Sequence, residues 1–336
     1  MSDAVFVAKT GTAAGRGLLD WALMLSLPLL MVVMELAVYA LEPRVFSVRN
    51  VINVLNQSSY LVVFASAQMM VILTRGFDLS LGTTVSAVSV ASALVMTGLA
   101  AAGAPDGIGV TAGLIAGLGF GALVGLFNGF FVSWLEINPF VVTLGSLNVC
   151  LGLATTMSGG RPVFNVPDAF STVLYNGSTI PGISMPLIIA VVVCAGLYFL
   201  LNHTIFGRSL YLIGNNPRAA YVAGLPSKRF LGMAYLLCSV LSAFGALMLT
   251  ARTGSGEPNL GGSLMLESIA AAVIGGVSLQ GGVGGIGAVI MGALFVTMLS
   301  NSMDLLEVGG YVQQILLGCV IILAIFLDRL RVTHSY

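Results

Sequence analysis

Long apolar runs recur along almost the whole chain, at about 19–40, 58–74, 83–103, 109–134, 139–157, 185–202, 229–250, 266–280, 285–301 and 311–327. Runs of this kind leave few ways to fold. A helix needs ~20 predominantly apolar residues to cross the hydrocarbon core, where every backbone polar group must be satisfied without water. The pattern predicts an all-α, polytopic membrane bundle of about ten transmembrane helices, the 266–280 run being short for a crossing. Only 8% of the 336 residues are charged, against ~25% in an ordinary soluble domain. The expected organisation is therefore one transmembrane domain over 19–327, with a tail at 1–18 and another at 328–336. The first run is longer than a signal-peptide core and contains Glu35, so a retained span is favoured over a cleaved leader.

Basic residues resist translocation and so report orientation. With the amino terminus inside and alternating crossings, Lys9, Arg16, Arg75, Arg208, Arg218, Lys228, Arg229, Arg329 and Arg331 fall inside. Only Arg44, Arg49, Arg161 and Arg252 fall outside. Both termini are expected in the cytoplasm, with a cytoplasmic loop at 203–228 and a long external loop at 159–183. The polar stretch 47–57 is expected to lie at the interface or re-enter the membrane.

The same chemistry excludes several functions. A formal net charge of zero offers no basic field for nucleic acid. Four isolated cysteines within apolar runs and two isolated histidines make no metal site. Gly282-Val283-Gly284-Gly285-Ile286-Gly287 has the spacing of a dinucleotide fingerprint but lacks the β-α-β setting. Lys9 and Lys228 are the only lysines and neither stands in a phosphate-binding loop, so any ATP-derived energy must come from a partner. No cofactor is expected in this chain.

Local signals pick out candidate sites. In 203–228, Asn216 suits a helix N-cap, Pro217 the first helical position and Gly224 a left-handed terminator. A helix of under two turns is unstable alone, so it docks either on its own membrane domain or on a cytoplasmic partner. Arg75 and Asp78 are three apart, as a solvated loop pair or as a polar anchor at the cytoplasmic face. Glycines at 113, 117, 121, 125 and 129 form a stripe suited to close helix approach, within the subunit or at a dimer seam. Asn138-Pro139 repeats the helix-start signal. Glu35 and Glu267 lie in apolar runs, where a carboxylate usually faces a cavity or partner; Glu267 could also be interfacial.

Five ordered segments resemble the permease subunits of ribose-type, simple-sugar ABC importers. They are VILTRGFDLSLG (71–82), INPFVVTLGSLNVCLGLATTMSGGRPVF (137–164), GRSLYLIGNNPRAAYVAGL (207–225), ESIAAAVIGGVSLQGGVGGIGAVIMGAL (267–294) and QQILLGCVIILAIFLD (313–328). The resemblance implies a lipid-embedded permease in a bacterial cytoplasmic membrane. Its partners would be a second permease subunit, identical or paralogous, a periplasmic sugar-binding protein and a cytoplasmic ATPase. ATP and Mg would bind the two nucleotide-binding domains of that ATPase. It makes Gly207, Arg208, Asn216, Pro217, Arg218, Ala219, Tyr221 and Gly224 the coupling element, and 159–183 a docking surface for the binding protein. Arg75 departs from the small residue expected there.

A transient sugar path needs polar groups that do not bind tightly, and Gln68, Asn128, Asn148 and Glu267 are candidates by polarity. A permease for branched-chain amino acids or nucleosides is the nearest rival. An ion-coupled carrier would require paired ionisable residues at mid-membrane, which are sparse, and an intramembrane protease a catalytic pair, which is not visible.

Overall fold

The computed structural model describes residues 13–177, 180 and 183–333. Its helices in chain order are α1 Ala13–Tyr39, α2 Val48–Ile72, α3 Leu81–Ala101, α4 Asp106–Gly129, α5 Pro139–Ser158, α6 Asp168–Ser171 and α7 Met185–His203. After these come α8 Ile205–Asn215, α9 Pro217–Val222, α10 Ser227–Thr253, α11 Leu264–Gly275, α12 Ile286–Leu305 and α13 Gly310–Thr333. Among the described residues six helices are long and apolar enough to cross a membrane: α3, α4 with the π-helical turn that extends it to Trp134, α5, α7, α10 and α12. The chain is thus an all-helical, multi-pass membrane protein. Residues 1–12 of the expected amino-terminal tail lie outside the described part, and helix begins at Ala13, inside that tail. At the other end α13 continues to Thr333, so most of the expected tail 328–336 is helical.

The 47–57 stretch forms the beginning of α2, one continuous helix of 25 residues. Two of its polar side chains reach other helices or loops of the protein, while Arg49 and Asn53 stay exposed. Asn50 and Asn301 exchange amide hydrogen bonds of 2.8 and 3.0 Å, tying α2 to α12, and Ser184 donates to Asn56. From Ser58 to Leu73 the helix is buried on every side, packed by α7, α10, α11 and α12. It is the axis of the bundle.

Glycine decides how closely the other helices approach. A methyl on Gly117, Gly121, Gly125 or Gly129 would collide with Leu247, Ala243, Leu236 or Gly232 of α10, and one on Gly113 with Met96 of α3. The glycine stripe is therefore a packing seam inside the subunit, where absent Cβ atoms let α4 press on α10 and α3. Gly275 and Gly292 do the same between α11 and α12, against Ala288 and Ala271. Glu35 finds its partner in this core: its carboxylate accepts from Ser302 Oγ at 3.2 Å, joining α1 to α12.

The expected 266–280 run is only a half-helix. α11 has 12 residues, about 18 Å of rise against a hydrocarbon core of ~30 Å. The missing length is supplied by residues 254–263, which run without helix along α3, Gly256 packing on Ala93 and Gly261 on Gly82. Irregular backbone inside a bundle survives only where the protein satisfies it. Here Ser89 Oγ accepts from the Glu257 N–H at 3.0 Å and Ser86 Oγ from the Gly261 N–H at 3.1 Å.

Candidate functional site

The segment 203–228 is more ordered than an expected loop with one helix. Thr204 caps α8, its hydroxyl accepting from the Gly207 N–H at 3.2 Å. Phe206, Ser209, Leu210 and Ile213 then recur at helical spacing and are buried, as an amphipathic helix requires. That periodicity was present in the sequence and marks the missed helix. Asn216 ends α8 and starts α9, and its side chain accepts from the Ala219 N–H at 3.0 Å. Pro217 occupies the first position, and Gly224 follows with φ +76°. The local signals thus have the geometry they imply. α9 turns Ala220 inward and presents Tyr221 and Val222 outward, 77% and 80% exposed. Gly207 is buried against the Leu201 backbone, while Arg208 and Arg218 are exposed.

Arg75 and Asp78 do not form a pair. Arg75 adopts φ +65°, a conformation glycine takes readily and other residues take at a cost, which accounts for the small residue expected at this place. Its guanidinium reaches the end of α8, donating to the carbonyls of Gly214 (2.6 Å) and Asn215 (2.9 Å). A cation on the last carbonyls of a helix caps groups that have no intrahelical partner. Gly282 N–H donates to the Leu73 carbonyl at 2.9 Å, and Tyr211 Oη donates to the Gly284 carbonyl at 2.9 Å. Gly281, Gly282 and Gly284 all have positive φ. The glycine-rich 281–284 stretch, the 73–75 turn and the end of α8 therefore lock together. The motif that resembles a dinucleotide fingerprint serves here to let three backbones meet.

Asp78 turns the other way, into the bundle, and is buried. Its Oδ1 accepts from Ser80 N–H (2.9 Å) and Ser80 Oγ (2.5 Å), and Cys238 Sγ approaches Oδ2 at 3.8 Å. The Gln68 amide, in the orientation that satisfies both groups, donates to the Asp78 carbonyl (3.3 Å) and accepts from its N–H (3.2 Å). Asn128 donates to Ser80 Oγ at 3.0 Å and accepts from Ser146 Oγ at 2.5 Å. Gln68 and Asn128 thus join Asp78 in one satisfied network that fixes the start of α3 against α2, α4, α5 and α10. Asn148 is apart from it, exposed on α5 and donating to its own Leu144 carbonyl at 2.9 Å. Glu267 lies elsewhere, lining a cavity with Gln57, Tyr60 and Arg252.

At the opposite end the 159–183 segment is partly built. Val163 and Gly256 exchange backbone hydrogen bonds of 2.8 and 2.9 Å, α6 buries Phe170, and Ser171 Oγ donates to the Ala251 carbonyl at 2.8 Å. Near α9, Lys228 meets Glu136 at 2.6 Å with both side chains largely exposed. The hydrogen bond from Lys228 holds the Glu136 carboxyl below its usual range.

A family described as "Branched-chain amino acid transport system / permease component" matches residues 50–325. Similar proteins include the ribose import permease RbsC of Bacillus subtilis, 33% identical over 297 residues, 88% of this chain and 90% of that protein. The D-allose transport system permease AlsC of Escherichia coli is 31% identical over 292 residues, 87% of each chain. The galactose/methyl galactoside import permease MglC of the same species is 32% identical over 299 residues, 86% of this chain and 89% of its own. No solved structure matches.

Proposed function

The chain belongs to the family of branched-chain amino acid transport system permease components, and from that premise we propose that it is the membrane-spanning subunit of an ABC importer for a simple sugar. The observation that carries this is similarity over 86–88% of the chain to three relatives named for ribose, D-allose and galactose import. Those names favour a sugar over the amino acids of the family description. The protein would reside in a bacterial inner membrane with both termini and the α8–α9 end in the cytoplasm. About ten helices would enter the bilayer, α2 at the centre and α11 as a half-crossing. A second permease copy or paralogue, a periplasmic sugar-binding protein at the α6 end and an ATPase at the α9 end complete the machine. The ATPase supplies ATP and Mg chemistry.

In this reading α9 is the coupling element. It is too short to stand alone in water, and its outward Tyr221 and Val222 suit a groove on the ATPase. When nucleotide draws the ATPase domains together, α9 moves and carries α8 with it, since a single residue, Asn216, separates them. The bonds from Arg75 to the end of α8, and the Gly282–Leu73 contact, then carry the movement to the ends of α2 and α12. Packed backbones move as a unit between discrete arrangements, the physical basis of access switching.

The test is ATP hydrolysis in nanodiscs containing the permease with the ATPase and binding protein encoded beside it. Binding protein loaded with D-ribose, D-galactose or D-allose is expected to stimulate turnover. Arg218→Glu on α9 is expected to abolish the stimulation while the permease remains folded. Failure to associate with any ATPase would overturn the proposal.

A further inference from the structure

Midway along α2, twelve residues from Val48 and twelve from Ile72, Tyr60 lines a cavity of about 130 Å³. One water needs ~10–15 Å³ measured in this way, so the space admits a molecule of several heavy atoms. Its polar lining is Gln57, Tyr60, Arg252, Glu267, Thr297 and Ser300. The first turn of half-helix α11 and the last turn of α10 meet here, on either side of the non-helical 254–263 segment. Non-helical backbone inside a membrane bundle is tolerated where it is buried in protein or lines a cavity, and transporters use such interruptions at ligand sites.

Three further observations point to a ligand. Tyr60 is 3% exposed, yet its hydroxyl has no hydrogen-bond partner among the described residues, and a buried polar group left without one is costly. The Arg252 guanidinium lies 5.6 Å over the Tyr60 ring. Neither Arg252 nor Glu267 has an ion-pair partner within 4.0 Å among the described residues, although both line the same space. Together the six side chains offer hydroxyl, amide, guanidinium and carboxylate groups, a mixture of donors and acceptors. Leu61, Leu249, Leu264 and Val296 complete the wall with apolar surface.

We propose that this cavity is a transit site for a hydroxyl-rich small molecule of monosaccharide class. The proposal rests on the sugar-import reading and adds the place within this subunit where the sugar is held. Alternating hydroxyls match the lining's donors and acceptors, and the C–H face of the ring matches the leucines. Of the lining groups the Tyr60 hydroxyl lacks a partner among the described residues, while Gln57 already donates to Asn53 and Glu267 is hydrogen-bonded by Ser263, so a sugar gains few new bonds here and is held weakly enough to be released.

The test uses the full complex in proteoliposomes, measuring import of radiolabelled D-ribose, D-galactose and D-allose together with ATP hydrolysis in the same vesicles. Tyr60→Phe removes one hydroxyl and nothing else; Thr297→Val keeps shape and removes another. Each is expected to lower sugar imported per ATP hydrolysed about fivefold, the effect of one hydrogen bond. Should Tyr60→Phe fail to fold, Thr297→Val and Ser300→Ala give the same reading. An unchanged ratio in the folded variants overturns the site while leaving the importer standing. Wild-type complex that imports none of the three sugars overturns the importer reading and the site with it.

Discussion

Around Gly214 the chain meets itself backbone to backbone with the Arg75 guanidinium in the junction, whereas between Thr253 and Leu264 the backbone contacts to Gly82 and Val163 are joined by hydroxyl side chains. At the first place Gly214 packs on the Leu73 carbonyl and on Gly282, and a guanidinium seals the helix end. At the second, Ser86 and Ser89 receive N–H groups that a helix would have used, and Thr250 donates to Ser89 at 2.7 Å. A junction of close-packed backbones has no side-chain rotamer that could absorb a displacement. A junction made by hydroxyls can exchange partners, and a polar cavity beside it fits that behaviour. The contrast separates a region suited to transmit movement from one suited to accommodate a ligand.

Gly214 is the point where the backbone junction has least room. Gly214→Leu would drive a side chain into backbone atoms that cannot step aside, with an expected loss of about 4 kcal/mol or more, read as disappearance of monodisperse permease in detergent. A well-folded variant would mean that this junction is soft. Next is the Asp78 network. Asp78→Ala strands Ser80 and loosens the start of α3, and about 2–3 kcal/mol should be lost in thermal unfolding.

Smaller effects sharpen the contrast. Ser89→Ala leaves the Glu257 N–H without its acceptor, costing about 1–2 kcal/mol, with hydrogen exchange expected to rise in 254–263 and not in 276–285. Asn216→Ala removes the cap of α9 at about 1 kcal/mol, and is expected to weaken stimulated ATP hydrolysis more than thermal stability. Last comes Lys228→Ala. The Glu136 carboxyl is held down by Lys228, so the pair's contribution is present above the ordinary carboxylate range and fades as pH falls through the lowered value. Because both groups are exposed, the variant should unfold like the wild type at neutral pH.

Much of the architecture could be read from residues. The apolar runs at 83–103, 109–134, 139–157, 185–202, 229–250 and 285–301 correspond to α3, α4, α5, α7, α10 and α12, and the capping chemistry of Asn216, Pro217 and Gly224 stands as read. Other features are not shown by polarity along the chain alone. The polar stretch 47–57 opens α2, where Asn50 pairs with Asn301, 251 residues away. Arg75 and Asp78 looked like neighbours, but a left-handed backbone at Arg75 sends the two side chains to different places. α8 is legible in the helical spacing of Phe206, Ser209, Leu210 and Ile213, a signal that the polar residues around it in 203–228 mask.

By itself the sequence determined that this chain lives in a membrane as helices, since unpaired backbone in hydrocarbon is too costly for anything else. It also determined where α9 begins and ends, because capping is local chemistry between residues within four of each other. Only the tertiary structure decided that the glycine stripe is an internal seam, that α11 is a helix of only 12 residues preceded by the non-helical 254–263 segment, and that Tyr60, Arg252, Glu267 and Thr297 share one cavity. Those facts depend on which helices become neighbours, and neighbours are chosen by packing all the surfaces together rather than by any one of them.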